Sequence, residues 1–195
     1  MISMNSDHRG VVLITVDSLR ADHMSCYGYD RNTTPFLDEF ASRSFFFKNA
    51  TSAGPRTASS FPCMLSSSYL SSYPYGHSRE ERLAKERLMI SEYLKNKTET
   101  AAFHSNPVIS SYYGYDRGFD KFEDFIITDS TIDAGPIRRL KRIVELLLGK
   151  PPFTPGDTIN QESLNWIDST EDKFFLWTHY MEPHMPYLPP SSYLK

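Results

Sequence analysis

Val11-Val12-Leu13-Ile14-Thr15-Val16, running into Asp17-Ser18, is the stretch on which the fold turns. All but Thr15 are apolar, and all but Leu13 are β-branched. A short apolar run without alternation reads as a strand covered on both faces, the habit of parallel sheets. A central, doubly covered parallel strand is therefore expected here. It ends in a carboxylate, Asp17, and in open α/β sheets ligands bind beyond the C-terminal ends of the strands.

Working outward, Thr34-Pro35 predicts a helix start, with Thr as N-cap and Pro in the first turn. Phe36, Leu37, Phe40 and Ala41 then share one face. Phe45-Phe46-Phe47 reads as the next strand. Residues 51–72 are rich in Ser and carry Gly54, Pro55 and Pro62; they read as a loop entering a helix through Ser60, Met64 and Leu65. Met89, Ile90, Tyr93 and Leu94 have helical spacing, and Thr100-Ala101-Ala102-Phe103 is a short strand. Residues 106–125 read as an aromatic-rich loop. Residues 137–148 predict a helix whose Arg138, Arg139, Lys141 and Arg142 form a solvated face, stopped by Gly149 and Pro151-Pro152. Asp157 is expected to cap a helix through Leu164, Trp166 and Ile167, and residues 173–180 form a second buried strand. Strands alternating with helices give an α/β class, a central, mostly parallel sheet flanked by helices.

With 39% hydrophobic residues the chain can build a core, which excludes wholesale disorder. A net charge of −3 without a basic stripe excludes the electrostatic footprint of a nucleic-acid binder. The longest apolar run, 11–16, is far too short to span a membrane. Residues 1–10 are polar and lack the apolar core of a signal peptide, so a soluble, cytoplasmic product is expected. On that footing the sequons at Asn32, Asn49 and Asn96 are chance matches. Cys26 and Cys63 have no metal-binding or redox spacing and read as ordinary buried residues.

Polar groups gather at three places. Asp17 can bind a hard cation, or simply make a turn. Thr57 and Ser60 lie at a loop-to-helix junction, where free N–H groups suit a tetrahedral oxyanion and a hydroxyl can serve as nucleophile; capping is the simpler role. His179 and His184 flank a segment broken by Pro183, so they are no helical metal pair. A histidine there can protonate a leaving group or hold an anionic oxygen, or be structural.

Taken in order, these segments resemble a known family. Val16-Asp17-Ser18-Leu19-Arg20-Ala21-Asp22-His23, Cys26-Tyr27-Gly28-Tyr29 and Thr34-Pro35-Phe36-Leu37-Asp38 are similar to the opening of the sulfatases, within the alkaline phosphatase superfamily. Residues 47–60 resemble the nucleophile segment. Residues 100–106 with 113–120 resemble the next block, and residues 174–187 resemble the strand carrying a site histidine. The resemblance implies an alkaline-phosphatase-like fold, incomplete at its C-terminal end, with residues 1–195 as the N-terminal part of a single catalytic domain. It implies Asp17 and Thr57 as metal ligands, Thr57 as nucleophile and His184 as the histidine facing the transferred group or leaving oxygen. The implied cofactor is a divalent metal ion (Ca, Mn, Mg or Zn), and the implied substrate a sulfate or phosphate ester.

The chain also departs from that family's pattern. The usual aspartate pair is Asp17-Ser18. The motif Cys or Ser, any residue, Pro, Ser, Arg is replaced by Thr57-Ala58-Ser59-Ser60-Phe61. Oxidation of a threonine would give a ketone, so no formylglycine is expected. A threonine nucleophile is what phosphodiesterases and phosphoglycerol transferases of the superfamily use, which points to phosphorus esters. No Asp-His-Gly-like second ligand set occurs, so these residues alone are expected to have little or no activity. The competing expectation is a non-catalytic remnant that binds a partner.

Overall fold

The computed structural model describes residues 9–72, 82–125 and 152–189. The chain divides into two units, one formed by the chain up to Asp17 and from Ala53 onward, the other by Ser18–Ser52.

The larger unit is built on four parallel strands: β1 (Gly10–Val16), β2 (Glu99–Phe103), β3 (Lys121–Glu123) and β4 (Phe174–Tyr180), in the order β1-β4-β2-β3. Among the described residues four α-helices complete the numbering: α1 (Pro35–Ser42) in the smaller unit, and α2 (Thr57–Ser66), α3 (Ile90–Leu94) and α4 (Gly156–Ser169) in the larger. β4 is the doubly covered strand: Phe174 through His179 are all buried. Because side chains alternate along a strand, β4 feeds two cores. Phe175 and Trp177 pack with Phe61 and Leu65 of α2, and with Met89 and Ile109. Phe174 and Leu176 point the other way, onto Ile159 and Trp166 of α4.

β1 corrects the expectation set by its sequence. It is parallel but lies at the sheet edge among the described residues, with Val11 63% and Ile14 61% exposed. Its apolar residues ask for cover on both faces, and the described residues supply it only around Leu13, which packs against the α2-side core.

Several boundaries also differ from the expected ones. The segment 106–125, expected to be a loop, contains β3, three residues paired with Ala101–Phe103. Asp157 lies inside the first turn of α4, and Pro155 takes the N-cap position. The helix expected at 137–148 lies outside the described residues.

α2 contains Pro62, which removes one backbone donor from the helix interior. Its far end is held by Arg87, a buried guanidinium that donates to the carbonyls of Pro62 and Ser68, both at 3.1 Å. A buried charge is thus spread over carbonyl acceptors that a helix end leaves unpaired.

In the smaller unit, two 3-10 turns (Ala21–His23 and Ser25–Tyr27) precede α1. Thr34 stands before Pro35 as expected but does not cap α1 through its side chain. Its hydroxyl donates to Asp38 Oδ1 at 3.1 Å and accepts the Ser25 N–H at 3.2 Å. Phe45-Phe46-Phe47 is not a strand. Phe46 packs on Tyr27, whose hydroxyl donates to Phe47 O at 3.1 Å, so side chains rather than a ladder fix this run. Aromatic β-propensity expresses packing against strand neighbours, and none is present here.

Candidate functional site

The C-terminal ends of β1, β4 and β2 meet the first turn of α2. Asp17 is pinned where β1 stops, because its N–H continues the ladder to Tyr180 O at 2.8 Å. Ser18 then takes a left-handed backbone, φ 57°, uncommon for a residue with a Cβ, and turns the chain away directly after the carboxylate.

Thr57 is the first residue of α2. Ser59 fixes that start: its hydroxyl accepts the Arg56 N–H at 3.1 Å and donates to Arg56 O at 2.8 Å. Gly54 lies so close that an added Cβ would collide with the Ser59 side chain. The N–H groups of Thr57 and Ala58 make no hydrogen bond among the described residues, as expected for the first turn of a helix. They give this end of α2 donors and a partial positive charge for an anion.

Asp17 and Thr57 come together: the Thr57 hydroxyl donates to Asp17 Oδ2 at 3.4 Å. Two further residues join them, Asn106, which the sequence reading did not weigh as a site residue, and His179, which it weighed without assigning a role. Asn106, buried just beyond β2, donates through Nδ2 to the same Asp17 oxygen at 3.0 Å. His179, fully buried in β4, brings Nε2 to 3.6 Å from Asp17 Oδ2 and 3.3 Å from Asn106 Nδ2. The Asn106 amide is oriented by its own oxygen, which accepts the Val108 N–H at 2.9 Å and so leaves the NH₂ facing Asp17 and His179.

Both ring nitrogens of His179 have polar neighbours. The Thr15 hydroxyl donates its single hydrogen to Thr178 O at 3.3 Å and lies 3.0 Å from both Trp177 Nε1 and His179 Nδ1. Indole nitrogen only donates, so Thr15 accepts from it, and the 3.0 Å contact between Thr15 and His179 Nδ1 takes its direction from the imidazole tautomer.

His104 lies behind this layer. Its Nδ1 accepts the Asn106 N–H at 3.2 Å, and its Nε2 is buried without a hydrogen-bond partner among the described residues. Burial, with His179 nearby, pushes its pKa down to about 3, so it is neutral. His184 is not drawn into the cluster among the described residues; its Nδ1 lies 2.9 Å from Met185 O.

The converging groups include a carboxylate and a hydroxyl, oxygen ligands that suit one side of a divalent cation. Among the described residues no group of three or more His, Cys, Asp or Glu side chains is placed to hold a metal. The fit is therefore one-sided. Sequence reasoning missed Asn106 because a single amide past a strand carries no local signal. It placed His179 near the end of the strand read over residues 173–180, and the structure has it within β4.

Comparison with known proteins places this arrangement. The family model described as Sulfatase matches residues 9–195. Phosphatidylethanolamine transferase Mcr-1 of Escherichia coli is 45% identical over 58 residues, covering 30% of this chain and 10% of that protein. The C-terminal periplasmic domain of phosphoethanolamine transferase EptC from Campylobacter jejuni superposes with a TM-score of 0.59 at 18% identity, covering 96% of this chain and 50% of that one. The corresponding EptC domain of E. coli, solved in complex with Zn, gives 0.58 at 19%, covering 94% and 47%. The chain thus spans about half the length of these domains.

The cytoplasmic expectation is overturned by these neighbours, both of them periplasmic domains; the polar character of residues 1–10 carries no weight against them. No helix among the described residues is long and apolar enough to cross a membrane. A parallel sheet whose strand ends carry Asp17 beside Thr57, matched over nearly its whole length by one family model, leads to one conclusion: the chain belongs to the sulfatase family, and its fold is that of the alkaline phosphatase superfamily.

Proposed function

We propose that this chain is the N-terminal part of a periplasmic, metal-dependent transferase or hydrolase of phosphorus esters, with Thr57 as the nucleophile. The similarity to phosphoethanolamine transferases favours a phosphoethanolamine-type group as the one transferred. The observation that carries the proposal is the placement of a threonine hydroxyl on the first turn of α2, 3.4 Å from the Asp17 carboxylate at the end of β1.

In this reading Thr57 Oγ attacks phosphorus, an O–P bond to Thr57 forms, and the bond to the leaving alkoxide breaks. A second alcohol or water then takes the phosphoryl group and frees Thr57. The unpaired amides of Thr57 and Ala58 face an oxyanion there and stabilise charge that grows in the transition state. Asp17 and Thr57 would hold the metal, for which zinc is proposed; when bound it supplies positive charge that favours the alkoxide and offsets the phosphoryl oxygens. His184, carried by the segment just past β4, is proposed to meet the leaving oxygen. Sulfate chemistry through formylglycine is disfavoured because threonine cannot yield the aldehyde.

The test is to expose the full-length protein, with Zn²⁺, to bis-p-nitrophenyl phosphate. A burst of p-nitrophenolate and a phosphoryl adduct on the Thr57 peptide in mass spectrometry are expected. Thr57→Ala should lose both, with turnover down on the order of 10³-fold or more, while Thr57→Ser keeps part of each. Turnover of p-nitrocatechol sulfate but not of the phosphodiester, or an adduct that survives Thr57→Ala, would overturn the reading.

A further inference from the structure

A continuous chain of hydrogen bonds runs from the sheet core to the candidate nucleophile. It begins at Trp177 Nε1–H and passes through Thr15, His179, Asn106 and Asp17 to the Thr57 hydroxyl, with no step longer than 3.4 Å. Trp177, Asn106 and Thr57 are fixed donors to Thr15, Asp17 and Asp17 respectively, and the two links at His179 take their direction from its tautomer. Thr15 and His179 share a register position on neighbouring strands, so the sheet itself sets their separation. Phe61 of α2 stands edge-on to the His179 ring, with centroids 5.0 Å apart, and limits its rotation. Asn106 is clamped at its other end by Val108.

We infer that His179 is a positioning residue: held as the Nδ1–H tautomer by Thr15, it uses its Nε2 lone pair to aim the Asn106 amide, which fixes the Asp17 carboxylate. The alternative tautomer would set an Nε2–H against the Asn106 NH₂, donor against donor, and Asn106 would lose its hold on one side. The sequence elements involved lie far apart, with Thr15 and His179 separated by 164 positions and Asn106 and His179 by 73. The arrangement matches the logic by which outer hydrogen bonds set the tautomer and orientation of groups around a metal. The inference rests on the proposed metal role of Asp17 only for its effect on affinity; the tautomer stands apart from it.

Two readouts on the full-length protein test it: long-range ¹H–¹⁵N spectra of the histidine rings, and calorimetric titration with Zn²⁺. In the wild type, His179 should carry its proton on Nδ1. Thr15→Val, which keeps the shape and removes the hydroxyl, should move population to Nε2–H and lower Zn²⁺ affinity by about 10- to 100-fold. Thr15→Ser should restore both. If Thr15→Val does not fold, Asn106→Ala serves instead: the His179 Nε2 resonance must shift and Zn²⁺ affinity must fall by a similar factor. A wild-type proton on Nε2 overturns the inference, as does Zn²⁺ affinity unchanged in the variants. If Asp17→Asn binds Zn²⁺ as tightly as wild type, the metal reading fails, and the tautomer spectra alone decide the role of His179.

Discussion

His104 carries a pH dependence that can be worked out from its surroundings. Its folded pKa of about 3 lies below the ordinary 6.5, so the unfolded chain binds the extra proton between those values. The stability it contributes is therefore complete above about pH 6.5 and is lost as the pH falls toward 3, with a slope of up to about 1.4 kcal/mol per unit. His104→Asn keeps an acceptor for the Asn106 N–H and cannot titrate. Urea midpoints at pH 7 and pH 5 should fall further apart in the wild type than in this variant; equal falls would refute the assignment. At the same scale, Asp17→Asn should weaken Zn²⁺ binding by at least about tenfold, because it removes the one carboxylate in the cluster. Asp17 was legible in the sequence because a carboxylate closing an apolar strand is a local pattern. Thr57 was legible as a hydroxyl at a loop-to-helix junction, and the resemblance singled it out from Ser60. Asn106 was not, because its partners Asp17 and His179 are remote in sequence and nothing local encodes them.

At the level of elements, the start of α2 depends on the clearance at Gly54. Gly54→Ala would push a Cβ into the Ser59 side chain and break the clasp that Ser59 makes with Arg56. A loss of about 1–3 kcal/mol is expected, and Zn²⁺ affinity should fall with it as Thr57 moves; a variant as stable as wild type would show that the loop yields instead. β2 and β4 could be read from sequence since each is an apolar run fully covered by helices. β3 could not, because three residues give no period to read. Phe45-Phe46-Phe47 misled because propensity counts residues and cannot supply a partner strand.

For the molecule as a whole, the apolar pattern of β1 is the most telling mismatch. Val12 and Ile14 face away from α2 and are 46% and 61% exposed, a short apolar edge of the kind that pairs with other chains. The 195-residue chain on its own should self-associate, and Val12→Thr with Ile14→Thr should shift it toward monomer in size-exclusion chromatography without lowering its melting temperature by more than a few degrees. A monodisperse wild-type chain would contradict this. The sequence did say that this strand wants cover on both faces; what it does not encode is where the cover comes from.

The pairing of β1 with β4 also has a temporal side. β1, which Asp17 directly follows, is synthesised well before its only ladder partner among the described residues, β4, which starts at Phe174. At about 5–20 residues per second the ribosome needs roughly ten to thirty seconds to cover that distance. Through that interval the strand is apolar and lacks β4 to close its hydrogen bonds, and the cluster around Asp17, which includes His179 of β4, cannot assemble. Helices α2 and α3 can form early, but the cluster waits for β4, which leaves β1 in need of protection while the residues between them are being made.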